Sequence, residues 1–140
     1  MDAIKKDYIL AQCNAECKGT LMETLSIEFV DVGDDYITAR MPVTAKVHQP
    51  DGILHGGATL ALAETVASLA AYVFVDRSKY TIRGLELNAN HIKSVASGYV
   101  FATAKPIHKG RTTQLWEVKV KDENDNLISL AKMSSIALEK

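Results

Sequence analysis

The stretch ATLALAETVASLAAYVFV, residues 58–75, decides the fold of this chain. It is rich in the helix formers Ala and Leu, contains no Pro or Gly, and directly follows Gly56 and Gly57. It therefore predicts one long helix. The stretch approaches the length of a membrane span, but Glu64 would be costly in lipid and no second such stretch exists. We therefore expect the helix to lie in a protein core and not in a membrane.

Strand-like stretches lie on both sides of this helix. Before it, residues 20–24 predict a short helix, and residues 26–32 and 35–41 predict two strands joined by a turn at 33–35. After it, four stretches rich in Val, Ile, Thr and aromatic residues predict an antiparallel meander. These stretches are approximately 80–95, 98–107, 111–121 and 126–138. The order of elements predicts an α+β domain over residues 1–140, with a curved antiparallel sheet wrapped around the helix.

Composition excludes several classes of function. The chain has 140 residues, 47% hydrophobic and 24% charged, which is typical of one ordinary compact domain. Its 16 Lys and Arg against 17 Asp and Glu, with no basic cluster longer than a pair, argue against nucleic-acid binding. The His and Cys residues lack metal-ligand spacing, and no dinucleotide, phosphate-loop or serine-hydrolase motif is present. We therefore expect neither a metal nor a bound cofactor.

The only cysteines, Cys13 and Cys17, indicate the compartment of the protein. A domain of this size folds without disulfides, so the pair needs no structural role. Reduced thiols are tolerated mainly inside cells, and the first twenty residues are too polar for a signal peptide. We therefore expect a cytoplasmic protein.

Glu64 is the only charged residue in the predicted helix. At about 100° per residue, one face carries Leu62, Val66, Leu69 and Val73, and the opposite face carries Leu60, Glu64, Ser68 and Ala71. A carboxylate among apolar residues is costly unless it has a partner or a task. Glu64 is therefore either half of a buried ion pair with an arginine, or a nucleophile or general base that faces a pocket.

Gln49, His55, Gly56 and Gly57 precede this helix. Backbone N–H groups at a helix start have no internal partner, and they carry the positive end of the helix dipole. They suit a developing oxyanion, with Gln49 and His55 either orienting a reacting carbonyl or merely satisfying backbone groups. A helical rise puts Gly56 on the order of 12 Å from Glu64, too far for both to reach one carbonyl carbon. This spacing predicts a homodimer with shared sites.

His91 ends an alternating row in the strand TIRGLELNANHIKSV, which puts Leu85, Leu87, Ala89 and His91 on one face. It is either a satisfied core residue or part of the substrate site. Further along, the cationic residues are candidates for binding phosphate, although charges at strand ends are usually just solvated. These residues are Lys93, His108, Lys109 and Arg111.

Three segments, QPDGILHGGATLALAETVAS, LELNANHIKS and KPIHKGRTTQLWEV, closely resemble the hotdog-fold acyl-CoA thioesterases. The closest resemblance is to the branch of 1,4-dihydroxy-2-naphthoyl-CoA thioesterases and of the proofreading thioesterases of enterobactin-type synthesis. The resemblance implies the hotdog fold and hydrolysis of an acyl thioester, with an aromatic acyl group among the candidates. The thiol would be CoA or a carrier-protein phosphopantetheine, and CoA would enter only as part of the substrate.

The resemblance also implies a role for each candidate residue. Glu64 would be the nucleophile or the base that activates water, Ser68 would hold that carboxylate or water, and the Gly56 N–H would polarise the thioester carbonyl. His55 and Gln49 would position the thioester, and His91 would lie near the acyl group. Lys93 and Arg111 would meet the CoA phosphates. Gly84, His108 and Gly110 would lie elsewhere in the substrate site. Glu64 and Ser68 would come from one subunit and the loop from its partner, with dimers commonly pairing into tetramers.

Two alternatives stay open from the residues alone. A hotdog hydratase or dehydratase would act on a β-hydroxyacyl group and leave the thioester whole. A non-catalytic module would bind acyl-CoA without turnover.

Overall fold

A computed structural model describes residues 1–140. The elements in chain order are α1 (Ala3–Glu16), α2 (Leu21–Thr24), β1 (Glu28–Val32), β2 (Ile37–Pro42), α3 (Gly56–Val73), β3 (Tyr80–His91), β4 (Tyr99–Lys109), β5 (Thr113–Asp122) and β6 (Leu127–Glu139). A short 3-10 turn, Ala45–Val47, lies between β2 and α3. The six strands form one antiparallel sheet, and α3 packs against five of them. The predicted α+β hotdog fold, a long helix wrapped by an antiparallel sheet, is confirmed.

The central helix α3 begins and ends two residues earlier than the sequence predicts. His55 caps its N-terminus by accepting a hydrogen bond from the Gly57 N–H at Nδ1, 2.8 Å away, which lets both glycines join the first turn. Leu62 and Val66, on the face opposite Glu64, are fully buried, and Ala71, which we expected on the face of Glu64, is buried too. The helix is long and apolar enough to cross a membrane, yet it forms the core of this domain.

The strand order is β1-β2-β4-β5-β6-β3, which corrects the predicted meander. Of the four strands that follow α3, only β4, β5 and β6 lie beside one another in chain order, whereas β3 pairs with β6 and lies at the far edge of the sheet. Local turn signals at the ends of β3 and β4 predict a break between strands, but they do not determine which strands pair. The β1 edge is short, and the twelve-residue β3 edge is long.

The register of β3 shifts at a bulge between Gly84 and Glu86. Gly84 lies opposite Ser135, Glu86 lies opposite Ser134, and Leu85 has no partner on β6. Leu85 is consequently 60% exposed, which corrects its predicted place in the row that leads to His91. Past the bulge the alternation resumes with Leu87 and Ala89.

The helix α1 was not predicted from the sequence. Asp2 caps it by accepting from the Lys5 N–H, and Asn14 fixes it to the edge strand β1. The Asn14 side chain accepts from the Phe29 N–H at 2.8 Å and donates to the Phe29 carbonyl at 2.9 Å, as a neighbouring strand would. The free thiols of Cys13 and Cys17 are buried on its inner face, so the two cysteines do contribute to the core.

Candidate active site

The first turn of α3 brings Gly56 against the imidazole of His91. A Cβ at position 56 would lie 2.7 Å from His91 Nε2, so any residue larger than glycine would displace the ring. Gly56 is the first helical residue, and its N–H therefore belongs to the group without intrahelical partners. The histidine ring and the positive end of the helix dipole thus meet at one point.

A groove of about 240 Å³ opens beside this contact. Its lining includes Gln49, Gly56, Thr59, His91 and Lys93. The Gln49 side chain accepts a hydrogen bond from the Asp51 N–H, which orients the amide within the loop. The structure therefore brings together four residues that the sequence singled out separately, and His55 lies next to them as the cap of α3.

His91 has a buried partner that the sequence did not indicate. The hydroxyl of Ser129, on β6 directly opposite His91, lies 3.1 Å from His91 Nδ1 and 3.1 Å from the Asn90 carbonyl oxygen. Ser129 is fully buried, whereas the His91 ring is exposed to the groove. The sequence signal that could have identified Ser129 is a small polar residue at an inward position of an otherwise apolar strand.

Glu64 lies in a second groove, of about 370 Å³, between α3 and α2. Ser68 lies one turn further on in the same groove, with its hydroxyl 3.8 Å from the sulfur of Met133. The lining also includes Leu21, Met22, Ala61, Thr65, Leu69 and Tyr72. Glu64 is exposed in the single chain and has no ion pair with an arginine, so the alternative of a buried salt bridge is wrong.

Gly84, on the edge strand β3, also lies beside Glu64. Its ideal Cβ position lies 3.9 Å from a carboxylate oxygen of Glu64 and 3.9 Å from the Met133 sulfur. A larger residue at position 84 would reach the carboxylate. The contribution of α2 through Leu21 and Met22, and that of Tyr72, were missed because these apolar residues look like ordinary core positions in the sequence.

The residues around Gly56 and the residues around Glu64 lie apart within one chain. The groove at Gly56 and the groove at Glu64 share no lining residue. Along β3, seven residues separate Gly84 from His91, which corresponds to roughly 23 Å of extended strand. Each chain therefore presents two separate grooves, which are called here the half-site at Gly56 and the half-site at Glu64.

The turn between β4 and β5 carries His108, Gly110 and Arg111, none of which lines either groove. The Lys109 Nζ lies 5.3 Å from the centre of the Phe74 ring, and Phe74 caps the C-terminal end of α3. The His108 ring packs on Gly110, where a Cβ would lie 2.6 Å from Nε2. These cations therefore lie at the opposite end of α3 from Gly56.

Comparisons with known proteins agree with this architecture. Residues 51–129, more than half of the chain, match the thioesterase superfamily. The proofreading thioesterase EntH of Cronobacter turicensis is 40% identical over 134 residues, covering 96% of this chain and 97% of that protein. The 1,4-dihydroxy-2-naphthoyl-CoA hydrolase of Escherichia coli is 37% identical over 134 residues, covering 96% and 98%.

A solved structure shows the same fold. The crystal structure of a mutant thioesterase from Pseudomonas aeruginosa superposes with a TM-score of 0.91 at 40% identity, covering 94% of each chain. The resemblance predicted from the sequence segments is thus confirmed. The chain belongs to the thioesterase superfamily and is a hotdog-fold enzyme that hydrolyses acyl thioesters.

Proposed function

We propose that the enzyme cleaves the thioester of an acyl-CoA, or of an acyl group on a carrier-protein phosphopantetheine, between the two half-sites of neighbouring subunits. The observation that carries this proposal is the separation of Gly56 and Glu64 into distinct grooves of one chain. Each half-site holds one part of the chemistry, and neither is sufficient by itself.

The half-site at Gly56 binds the thioester carbonyl. The Gly56 N–H, at the positive end of α3, polarises the carbonyl oxygen and stabilises the negative charge that develops on it. His55 uses Nδ1 to cap the helix, so its Nε2 is the nitrogen left for the substrate. The Gln49 amide, oriented by the Asp51 N–H, positions the thioester from the other side of the loop.

The half-site at Glu64 supplies the attack. The carboxylate either bonds to the carbonyl carbon and expels the thiolate before water releases the acid, or removes a proton from water as that water attacks. In both routes the carbon–sulfur bond breaks, and the thiolate leaves with a proton. The Ser68 hydroxyl, one turn away in the same groove, holds the carboxylate or the water.

The edge strand β3 supports a homodimer that joins the half-sites. It is twelve residues long, pairs only with β6 and leaves Leu85 60% exposed, and Ile92, directly after the strand, is 57% exposed. Long exposed edges with apolar residues favour pairing with another strand. The opposite edge, β1, is held by Asn14 of α1, which leaves β3 for a second copy. Pairing of two dimers into a tetramer extends the same proposal.

The substrate class follows from the relatives and from the surface cations. The similar Escherichia coli protein is named for a naphthoyl-CoA, which makes an aromatic acyl-CoA the first substrate to test. Lys93 at the Gly56 groove and Arg111 at the β4–β5 turn are the candidates for the CoA phosphates. The free thiols of Cys13 and Cys17 support a cytoplasmic location.

The test of this function is replacement of Glu64, followed by the release of free thiol from aromatic, short-chain and long-chain acyl-CoAs. We expect Glu64→Ala and Glu64→Gln to lower turnover by about a hundredfold or more, because general-base catalysis contributes this much. Glu117→Gln, at a carboxylate paired with Lys119 on β5, is the matched control and should keep full activity. Near-normal hydrolysis by folded Glu64→Ala would rule out the assignment.

A further inference from the structure

The contact between Ser129 and His91 bears on which tautomer the imidazole adopts. The Ser129 hydroxyl has one proton and lies at hydrogen-bond distance from both the Asn90 carbonyl oxygen and His91 Nδ1. The carbonyl oxygen can only accept, so the hydroxyl proton goes to it. The remaining lone pair of Ser129 Oγ then accepts from His91 Nδ1–H. The reverse arrangement would leave two acceptor oxygens facing each other without a proton.

This arrangement leaves the other ring nitrogen without a proton in the neutral imidazole. Nε2 then presents a lone pair, and it points at Gly56. The positive end of the α3 dipole at Gly56 favours a lone pair there. Both the buried hydroxyl on one side and the helix start on the other side therefore select the same tautomer.

We propose that Ser129 is a positioning residue, which locks His91 with its proton on Nδ1 so that Nε2 accepts a hydrogen bond from the substrate beside Gly56. The proposal rests on the proposed function, because it needs the thioester carbonyl at the Gly56 N–H. The donor is the amide N–H of the phosphopantetheine arm, which lies a short carbon link from the thioester sulfur in every substrate of this class. Ser129 itself is buried and acts only through His91.

The tautomer can be measured without any substrate. Long-range correlation spectra of the full-length protein labelled with ¹⁵N-histidine distinguish a protonated ring nitrogen from an unprotonated one, and His91→Gln identifies the signals. We expect the neutral imidazole of wild-type His91 to show a protonated Nδ1 and an unprotonated Nε2. In Ser129→Ala the Nδ1–H loses its acceptor, and we expect the two nitrogens to show mixed protonation.

A second buried serine of β6 provides the matched control. Ser135 is also fully buried, but its hydroxyl has no hydrogen-bond partner. Ser135→Ala therefore removes the same group from the same strand without a link to His91, and it should leave the His91 signals and thioester hydrolysis unchanged. An unchanged His91 tautomer in Ser129→Ala, or an equal change in Ser135→Ala, would overturn the proposal.

Kinetics complete the test. We expect Ser129→Ala to lower kcat/KM about fivefold to tenfold, mainly through KM, which is the size of one lost hydrogen bond. In a His91→Ala background Ser129→Ala should have no further effect, whereas a general packing defect would act in both backgrounds and contradict the proposal. Loss of hydrolysis in Glu64→Ala tests the proposed function, and the tautomer spectrum tests Ser129 independently of it.

Discussion

His91 Nε2 occupies the space beside Gly56 that the side chain of any other residue would fill, 2.7 Å from the ideal Cβ position. The close approach of the ring nitrogen to the helix start therefore requires that position 56 has no side chain. The proposed site of the thioester carbonyl lies beside this contact. Because the two residues come from different elements, α3 and β3, their contact also fixes the relative position of helix and edge strand.

Gly56→Ala should displace the His91 ring and misplace the N–H that we propose to polarise the carbonyl. We expect kcat/KM to fall by at least about tenfold, since preorganised donors at the carbonyl oxygen carry much of the catalysis. Steady-state hydrolysis by Gly56→Ala, His91→Ala and the double variant measures the coupling. We expect the combined loss to be smaller than the product of the single losses, because the two residues are in contact. Independent losses would contradict the contact.

His55 has two separable tasks at the start of α3. Its Nδ1 caps the helix at the Gly57 N–H, and its Nε2 remains for the substrate. His55→Ala should lose about 1 kcal/mol of unfolding free energy together with activity, whereas His55→Asn should regain the stability because Asn is a preferred cap. Urea unfolding and thiol release measured on both variants separate the tasks. Full activity in His55→Asn would restrict His55 to capping.

Cys13 makes the stability of the protein depend on pH in the alkaline range. Burial, reinforced by Glu16, raises the pKa of this thiol from 9.0 to about 11. The folded chain then holds the proton to higher pH than the unfolded chain, so this contribution to stability is complete below pH 9.0 and is lost as pH rises toward 11. Urea midpoints measured across that range should fall less steeply for Cys13→Ala. An unchanged slope would contradict the burial of the thiol.

Periodic and compositional signals predicted the parts of the fold that are encoded locally. The apolar stretch that forms α3 is long and uninterrupted, and the strands are separated by turn residues, so their positions agree within a few residues. The separation of Gly56 from Glu64 followed from helical rise alone. For the same reason the two half-sites could be anticipated before their grooves were visible.

Features that depend on tertiary contacts were not predictable. The helix α1 mixes eight apolar with six polar residues, and Asn14 fixes it to a strand that comes fifteen residues later. The bulge at Leu85 and the pairing of β3 with β6 depend on strand order, which local turns do not specify. Ser129 was missed because its role depends on a contact with a cross-strand neighbour, His91, which lies thirty-eight residues away in sequence.

The most direct test of the shared site unfolds and refolds together, in equal amounts, two variants with impaired activity, Glu64→Ala and Gly56→Ala. If the half-sites of two subunits form each active site, half of the dimers are mixed and each mixed dimer regains one intact site. The account therefore predicts recovery of about one quarter of wild-type hydrolysis. Each variant refolded alone is the control. If both half-sites had to come from one chain, every site would keep a defect, and the absence of recovery in the mixture would contradict the account.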